Sequence, residues 1–477
     1  MLLIFRKAMQ LPIELITVPK ALVRTGYPRQ WLKLALFSLL LSGFFSFIIV
    51  VARTPGIAEF IGDPQFARKS LVLHVDFALV IWFYAFLAVL YLSLLKKVQP
   101  LLFSIGLKLV IAGSFLMMIP VFIKSVDPIL ANYIPVLDHP LFFTGLLLVA
   151  GGLSTTFSNS WNFKTEILPK NLPSFFTRSS SLTIRFAGIL VIVAILTFVT
   201  SFIITPASID RTLFFELGMW GGGHILQFAN VLGMITVWLI LLYKLTGRDI
   251  ISPKLNRWLV SILALPAILS PVLLIQGTNS QLYYAGYTQL MRWFIFPVVT
   301  VYLILGIRAV WLHYVRPGKL SNPFRSLYFN GFLVSALLTV TGFVLGAMIR
   351  GSSTLIPAHY HASLGGVTVA YMVMVFILMK EYGYQLTTRK SIRLMKLQPL
   401  LFGFGQTMFV IGFAIAGMMG MGRKLFGQDQ NIYSFEALTG LGLMSLGGLL
   451  AMVGGILFIY IVVKSYTNSQ NIKHHGK

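Results

Sequence analysis

The sequence contains no cysteine. Disulfides, iron–sulfur clusters, thiolate zinc sites and the Cys-x-x-Cys-His motif that anchors haem covalently are therefore excluded. Charge is scarce too. Only 11% of the 477 residues are charged and Asp plus Glu number 13, where a soluble domain is about a quarter charged. What fills the chain instead is apolar: 57% of it is hydrophobic. Apolar runs of about 20 residues recur along its length, each long enough to cross about 30 Å of hydrocarbon. The short alternating segments of a membrane barrel are missing. The fold class is therefore all-α integral membrane, with about twelve transmembrane helices in one bundle.

The spans fall near 33–52, 71–95, 101–123, 140–158, 183–205, 213–243, 258–276, 292–313, 327–348, 357–379, 399–420 and 437–463. Residues 1–32 carry Arg6, Lys7, Lys20, Arg24 and Arg29 among apolar residues, interrupted by Pro12, Pro19 and Pro28. No small-residue cleavage site follows, so this reads as a basic segment on the cytoplasmic membrane surface rather than a signal peptide. Residues 33–464 form the membrane domain and 465–477 a cytoplasmic tail. The longest cytoplasmic loop lies near 159–182.

The formal charge of +25 sits in short loops, which fits orientation in a bilayer and gives no support to nucleic-acid binding. With both termini cytoplasmic, one side gathers most of the Lys and Arg. The other keeps only Arg53, Arg68, Lys69, Lys124, Arg211, Arg292, Arg350, Arg423 and Lys424. Such an asymmetry fits both ends inside, and the membrane expected is a bacterial inner (plasma) membrane. It also brings His74 of span 2, His224 of span 6, and His359 and His361 of span 10 to one outer layer, four of the eight histidines.

Ionisable groups inside membrane segments are costly and mark function by default. His359 and His361 open one helix two residues apart, so their rings point roughly 200° away from each other. One helix can then serve two neighbours. Neutral imidazole is the usual axial ligand of haem iron and a good copper ligand. The plainer alternative is that each histidine is an interhelical hydrogen bonder.

In span 2, Arg68-Lys-Ser-Leu-Val-Leu-His74-Val-Asp precedes and contains a histidine. In span 6 stands Trp220-Gly-Gly-Gly-His224, then Phe228. In span 10 stands Ala358-His359-Tyr-His361, then Gly365. This layout resembles the catalytic subunit of the haem–copper oxidase superfamily, cytochrome c oxidase subunit I-like. The nearer likeness is to cbb-type oxidases and nitric oxide reductases. The resemblance implies two haems: a low-spin one between His74 and His361, and a high-spin one on His359. It implies His224 as the first ligand of a second metal, copper or iron. Arg423 and Lys424 would meet haem propionates, with Arg350 as a further candidate.

One stretch departs from that pattern. After span 7 the chain reads Gly277-Thr-Asn-Ser-Gln-Leu-Tyr-Tyr-Ala-Gly286. The family's reductases have two adjacent histidines where Ser280 and Gln281 fall. Serine and glutamine are poor copper ligands, so a three-histidine copper site cannot be built. Tyr283 and Tyr284 lie close by, either to offer a phenol to an open haem face or as an interfacial aromatic belt. Glu216 lies about two turns from His224 and suits proton entry from outside, or a pair with Arg211. Asp76 either orients His74 or is an outer-surface charge.

The functional reading is a respiratory membrane oxidoreductase passing electrons from a low-spin to a high-spin haem, for reduction of dioxygen or nitric oxide. An electron-donor subunit, cytochrome c or a quinol would supply it. One alternative is a non-catalytic di-haem conduit or gas sensor without the copper site. Another is a polytopic transporter whose histidines relay protons.

Overall fold

The computed structural model describes residues 26–54, 56–57, 64–95, 100–158, 174–315, 322–384, 386, 388–425 and 434–475. The expected surface segment before residue 26, and most of the 159–182 loop, lie outside the described residues.

Among the described residues, twelve helices are long and apolar enough to cross a membrane. In chain order they are Gly26–Arg53, Gln65–Leu94, Leu101–Phe122, Pro140–Phe157, Arg178–Ile204, Arg211–Thr246, Pro253–Leu274, Gln281–Val315, Leu327–Met348, Leu355–Glu381, Arg389–Met418 and Phe435–Asn468. They keep the numbers span 1 to span 12. The expected spans are all present, and the differences are at their ends. Span 8 begins at Gln281, eleven residues before the apolar run suggests, because the Ser280 hydroxyl accepts from Tyr283 N and caps the helix. Span 11 begins at Arg389, where Thr388 caps it through Ser391 N. The last helix runs on through Phe435–His475, across the residues expected to form a tail.

Three spans form the centre. In spans 2, 6 and 10, 83%, 89% and 83% of the most apolar stretch is buried, against 33–50% in the other nine. A helix apolar all round belongs inside a bundle, and these three carry His74, His224, His359 and His361. The outer nine turn large apolar side chains such as Phe44, Trp258, Trp293 and Trp311 outward. Nothing in water would leave so much apolar surface bare, so this belt is lipid-facing.

Two departures from plain α-helix bear on the site. Span 2 passes through a π-helical turn at Phe77–Trp82, directly after Asp76, and span 8 through another at Met291–Ile295. Such turns recur at functional positions. Between spans 3 and 4 lies a small antiparallel hairpin, β1 (Pro128–Ile129) paired with β2 (Val136–Leu137). Lys69 ties its approach to span 2 by donating to the carbonyls of Ile123 and Lys124 at 2.7 and 3.3 Å.

Candidate functional site

The rings of His74 and His361 face each other across spans 2 and 10. Their centroids are 6.4 Å apart and their planes 15° from parallel. Two imidazoles bound through nitrogen to one metal, at about 2.0 Å each, place their centroids roughly 6 Å apart. The ring separation matches that spacing.

The His74 ring is oriented from span 1. Its Nδ1 lies 3.0 Å from the Ser42 carbonyl, which can only accept, so Nδ1 carries the proton and Nε2 the lone pair. Ser42 Oγ is also 3.0 Å from Nδ1 and donates to the His74 carbonyl at 3.0 Å. His361 lies edge-on to Phe409 of span 11, 4.8 Å between centroids, with Phe413 at 6.3 Å. Its own helix is tied to span 11 by Gln406, which donates to the His361 carbonyl at 3.0 Å.

His359 turns the other way, toward span 9. Its Nδ1–H donates to the Gly342 carbonyl at 2.7 Å, leaving Nε2 with the lone pair. Gly346, one turn on, lies so close that a Cβ there would stand 2.8 Å from the ring. Side-chain-free backbone at that point is what lets the imidazole settle against span 9. His74, His359 and His361 are only half-buried although they sit on the most buried spans.

His224 differs. It is buried, and its Nδ1–H donates to the Trp220 carbonyl at 2.8 Å, within its own helix. Its Nε2 is 3.0 Å from the Tyr133 hydroxyl. Trp220 and Tyr287 pack around the ring at 4.6 and 5.7 Å between centroids. Tyr133 sits at the tip of the β1–β2 hairpin with φ at 68°, the only non-glycine residue of positive φ among the described residues. Burial, then Tyr284 and Glu216, push its phenol well above its usual pKa, so it stays a donor.

The residues around the missing histidine pair do not converge on His224. Ser280 Oγ bonds within its own cap, to Gly277 O and Tyr283 N, and Gln281 is exposed. Among the described residues no three His, Asp or Glu side chains gather as a metal site. The Tyr283 hydroxyl is held between spans 5 and 6, donating to Leu217 O at 2.6 Å and receiving from Gly221 N at 2.9 Å. Tyr284 stacks on Trp220 at 4.0 Å. The phenol nearest this imidazole is Tyr133, which the sequence reading passed over.

Two alternatives for the acids are overturned. Arg211 pairs with Asp138, not Glu216. Glu216 instead receives both the backbone N–H and the side-chain amide of Asn132. Asp76 is not a surface charge: it is fully buried, with neither oxygen hydrogen-bonded, and His74 Nδ1 is oriented by Ser42. Arg350 is exposed and donates to Ala347 O and Ile349 O at its own helix end.

Arg423 donates to Asn132 Oδ1 at 2.9 Å, and its carbonyl receives Arg53 Nη2 at 2.7 Å. Lys424 adjoins them, its pKa lowered by burial and by Arg423. Arg53 was legible only as an outer charge, yet it is buried, its guanidinium 5.2 Å from the Phe413 ring centre. Arg53, Arg423 and Lys424 thus gather around Asn132, which Glu216 holds, at the end of the bundle that carries the hairpin.

A fold of twelve spans with histidines on its three central helices defines a class, and comparison gives the family. Residues 28–457 match the family model described as cytochrome c and quinol oxidase polypeptide I, so the chain belongs to that family. It is similar to an uncharacterised protein of Rickettsia prowazekii (strain Madrid E), 26% identical over 91% of this chain and 95% of the relative. It is similar also to an uncharacterised protein of Aquifex aeolicus (strain VF5), 28% identical over 74% of this chain and 85% of the relative. A cryo-EM structure of a heme-copper terminal oxidase dimer shares the fold. Its TM-score is 0.70 at 16% identity, over 92% of this chain and 84% of that one.

Proposed function

We propose that this chain is a haem-binding respiratory subunit of the bacterial inner membrane, both termini cytoplasmic. His74 and His361 would hold a low-spin haem and His359 a high-spin haem, which together would supply electron transfer and the reduction of dioxygen or nitric oxide. The carrying observation is the pair of near-parallel imidazoles 6.4 Å apart on spans 2 and 10. Arg423 and Lys424 would pair with propionates, since half-buried cations clustered beside one carboxylate favour further anions.

Haem, when bound, supplies one-electron transfer and an iron that takes a diatomic gas. The chain supplies orientation. Ser42 O and Gly342 O fix the tautomers of His74 and His359, so each offers Nε2. Spans 2, 6 and 10 surround them with a mostly buried apolar core. Electrons come from a partner, cytochrome c or a quinol, because the chain has no cysteine for a covalent haem.

A second reading is favoured by Ser280 and Gln281: a di-haem electron conduit or gas sensor that performs no reduction. A reduced-minus-oxidised spectrum and haem extraction of the purified protein test the shared part. Two haems per chain are expected, with the low-spin band lost in His74→Ala. A protein without haem would overturn both readings and leave the proton-relaying transporter. Carbon monoxide binding and gas consumption then separate enzyme from conduit.

A further inference from the structure

At His224 the chain offers an imidazole whose one lone pair is already engaged. Its Nδ1–H is engaged by the Trp220 carbonyl at 2.8 Å, so Nε2 is the remaining coordinating atom. Nε2 in turn accepts from the Tyr133 hydroxyl at 3.0 Å. The ring of Tyr133 lies against that of His224, 4.8 Å between centroids, and Met291 Sδ, in the π turn of span 8, is 3.8 Å from the phenol oxygen.

The backbone is built to keep the phenol there. Gly223, the residue before His224, makes room: a Cβ at that position would stand 2.3 Å from Tyr133 Cγ. Tyr133 itself holds φ at 68°, a left-handed conformation that bulky residues rarely adopt. Asn132, its neighbour, clamps the hairpin to span 6. Its backbone N–H and side-chain amide both go to Glu216, two turns before His224 on the same helix. Its Oδ1 receives Arg423. Meanwhile Ser280 is bound into its own helix cap and Gln281 is exposed. A copper or iron ion at His224 would have one protein donor, already in use, and a transition metal needs several.

We infer that the second-metal position of this chain is a metal-free phenol–imidazole pair, Tyr133 and His224, held shut by the Asn132–Glu216 clamp. The inference rests on the proposed function only in taking His224 as that position. It requires no haem.

The test uses the full-length chain in nanodiscs with 3-fluorotyrosine incorporated at position 133, read by fluorine NMR, with cupric ion as the probe. Replacing His224 by leucine (His224→Leu) is expected to shift the resonance, because the phenol loses its acceptor. One equivalent of copper is expected to leave the wild-type resonance unchanged, and equilibrium dialysis to show equal copper retention in wild type and His224→Leu. A resonance that does not move in His224→Leu refutes the pair. A resonance broadened away by copper, with about one more copper retained per wild-type chain, refutes the metal-free site. Should His224→Leu not fold, the wild-type copper response decides alone. Haem is assayed separately by its absorption, so a chain without haem would overturn the proposed function and leave this result standing.

Discussion

Ser42 grips His74 at two points, its carbonyl taking the ring Nδ1–H at 3.0 Å and its hydroxyl reaching the His74 carbonyl at 3.0 Å. The two contacts have different consequences. The Ser42→Ala change removes the hydroxyl but leaves the backbone carbonyl that fixes the tautomer. Stability should fall by about 0.6–1 kcal/mol, the worth of an interhelical hydrogen bond in a membrane, as read by thermal unfolding. The low-spin band should survive; its loss would mean the hydroxyl, not the carbonyl, orients the ring.

Gly346 should separate the two haems. A methyl group there would stand 2.8 Å from His359 Cε1 and Nδ1, and the backbone of a packed helix cannot yield that much. Gly346→Ala should displace the His359 ring and abolish carbon monoxide binding. The low-spin spectrum should persist, since His361 meets spans 2 and 11 instead. Loss of both signals together would contradict independent sites on one helix.

Glu216 anchors the hairpin through Asn132. In Glu216→Gln the new amide can replace one acceptor but sets an N–H₂ group against a donor. Leaving a buried donor unmade costs about 1–3 kcal/mol. Amide hydrogen exchange across residues 128–137 should rise at least tenfold, while exchange in span 10 stays unchanged.

Lys424 gives a pH signature. Burial first, then Arg423, lowers its pKa from the ordinary 10.5. The folded chain therefore holds the proton less well than the unfolded one. The penalty is full below the folded pKa and fades as pH rises toward 10.5. Haem-free protein should gain stability on going from neutral pH toward that value. Lys424→Met should be more stable at neutral pH and lose the gain, and it should retain haem less tightly if Lys424 meets a propionate. Thermal unfolding of both proteins across that range is the measurement.

Hydropathy alone located the twelve spans, because a bilayer demands a minimum apolar length whatever the packing. The central position of spans 2, 6 and 10 could be read from their histidines, since ionisable groups are tolerated only inside a bundle. Contacts between distant segments could not be read. Ser42 lies 32 residues from its partner His74, and nothing local distinguishes it from other span-1 serines. Tyr133 lies in a short segment with no periodic pattern, 91 residues before His224. Arg53 looks like any loop charge until the fold buries it against Phe413. The start of span 8 was missed because capping by Ser280 is a local hydrogen-bond effect, to which an apolar window is blind.

The turn at Phe77–Trp82 accommodates one residue more than a regular helix. Below it, side chains are rotated by roughly 100° relative to an unbroken span. Tyr91, which reaches the Phe157 carbonyl at 2.8 Å, lies after that turn, whereas His74 lies before it. Excising a single residue there would swing the half of the span after the turn away from its neighbours yet leave the imidazole before it aimed as it was. The helix thus has two halves whose facings can be changed independently.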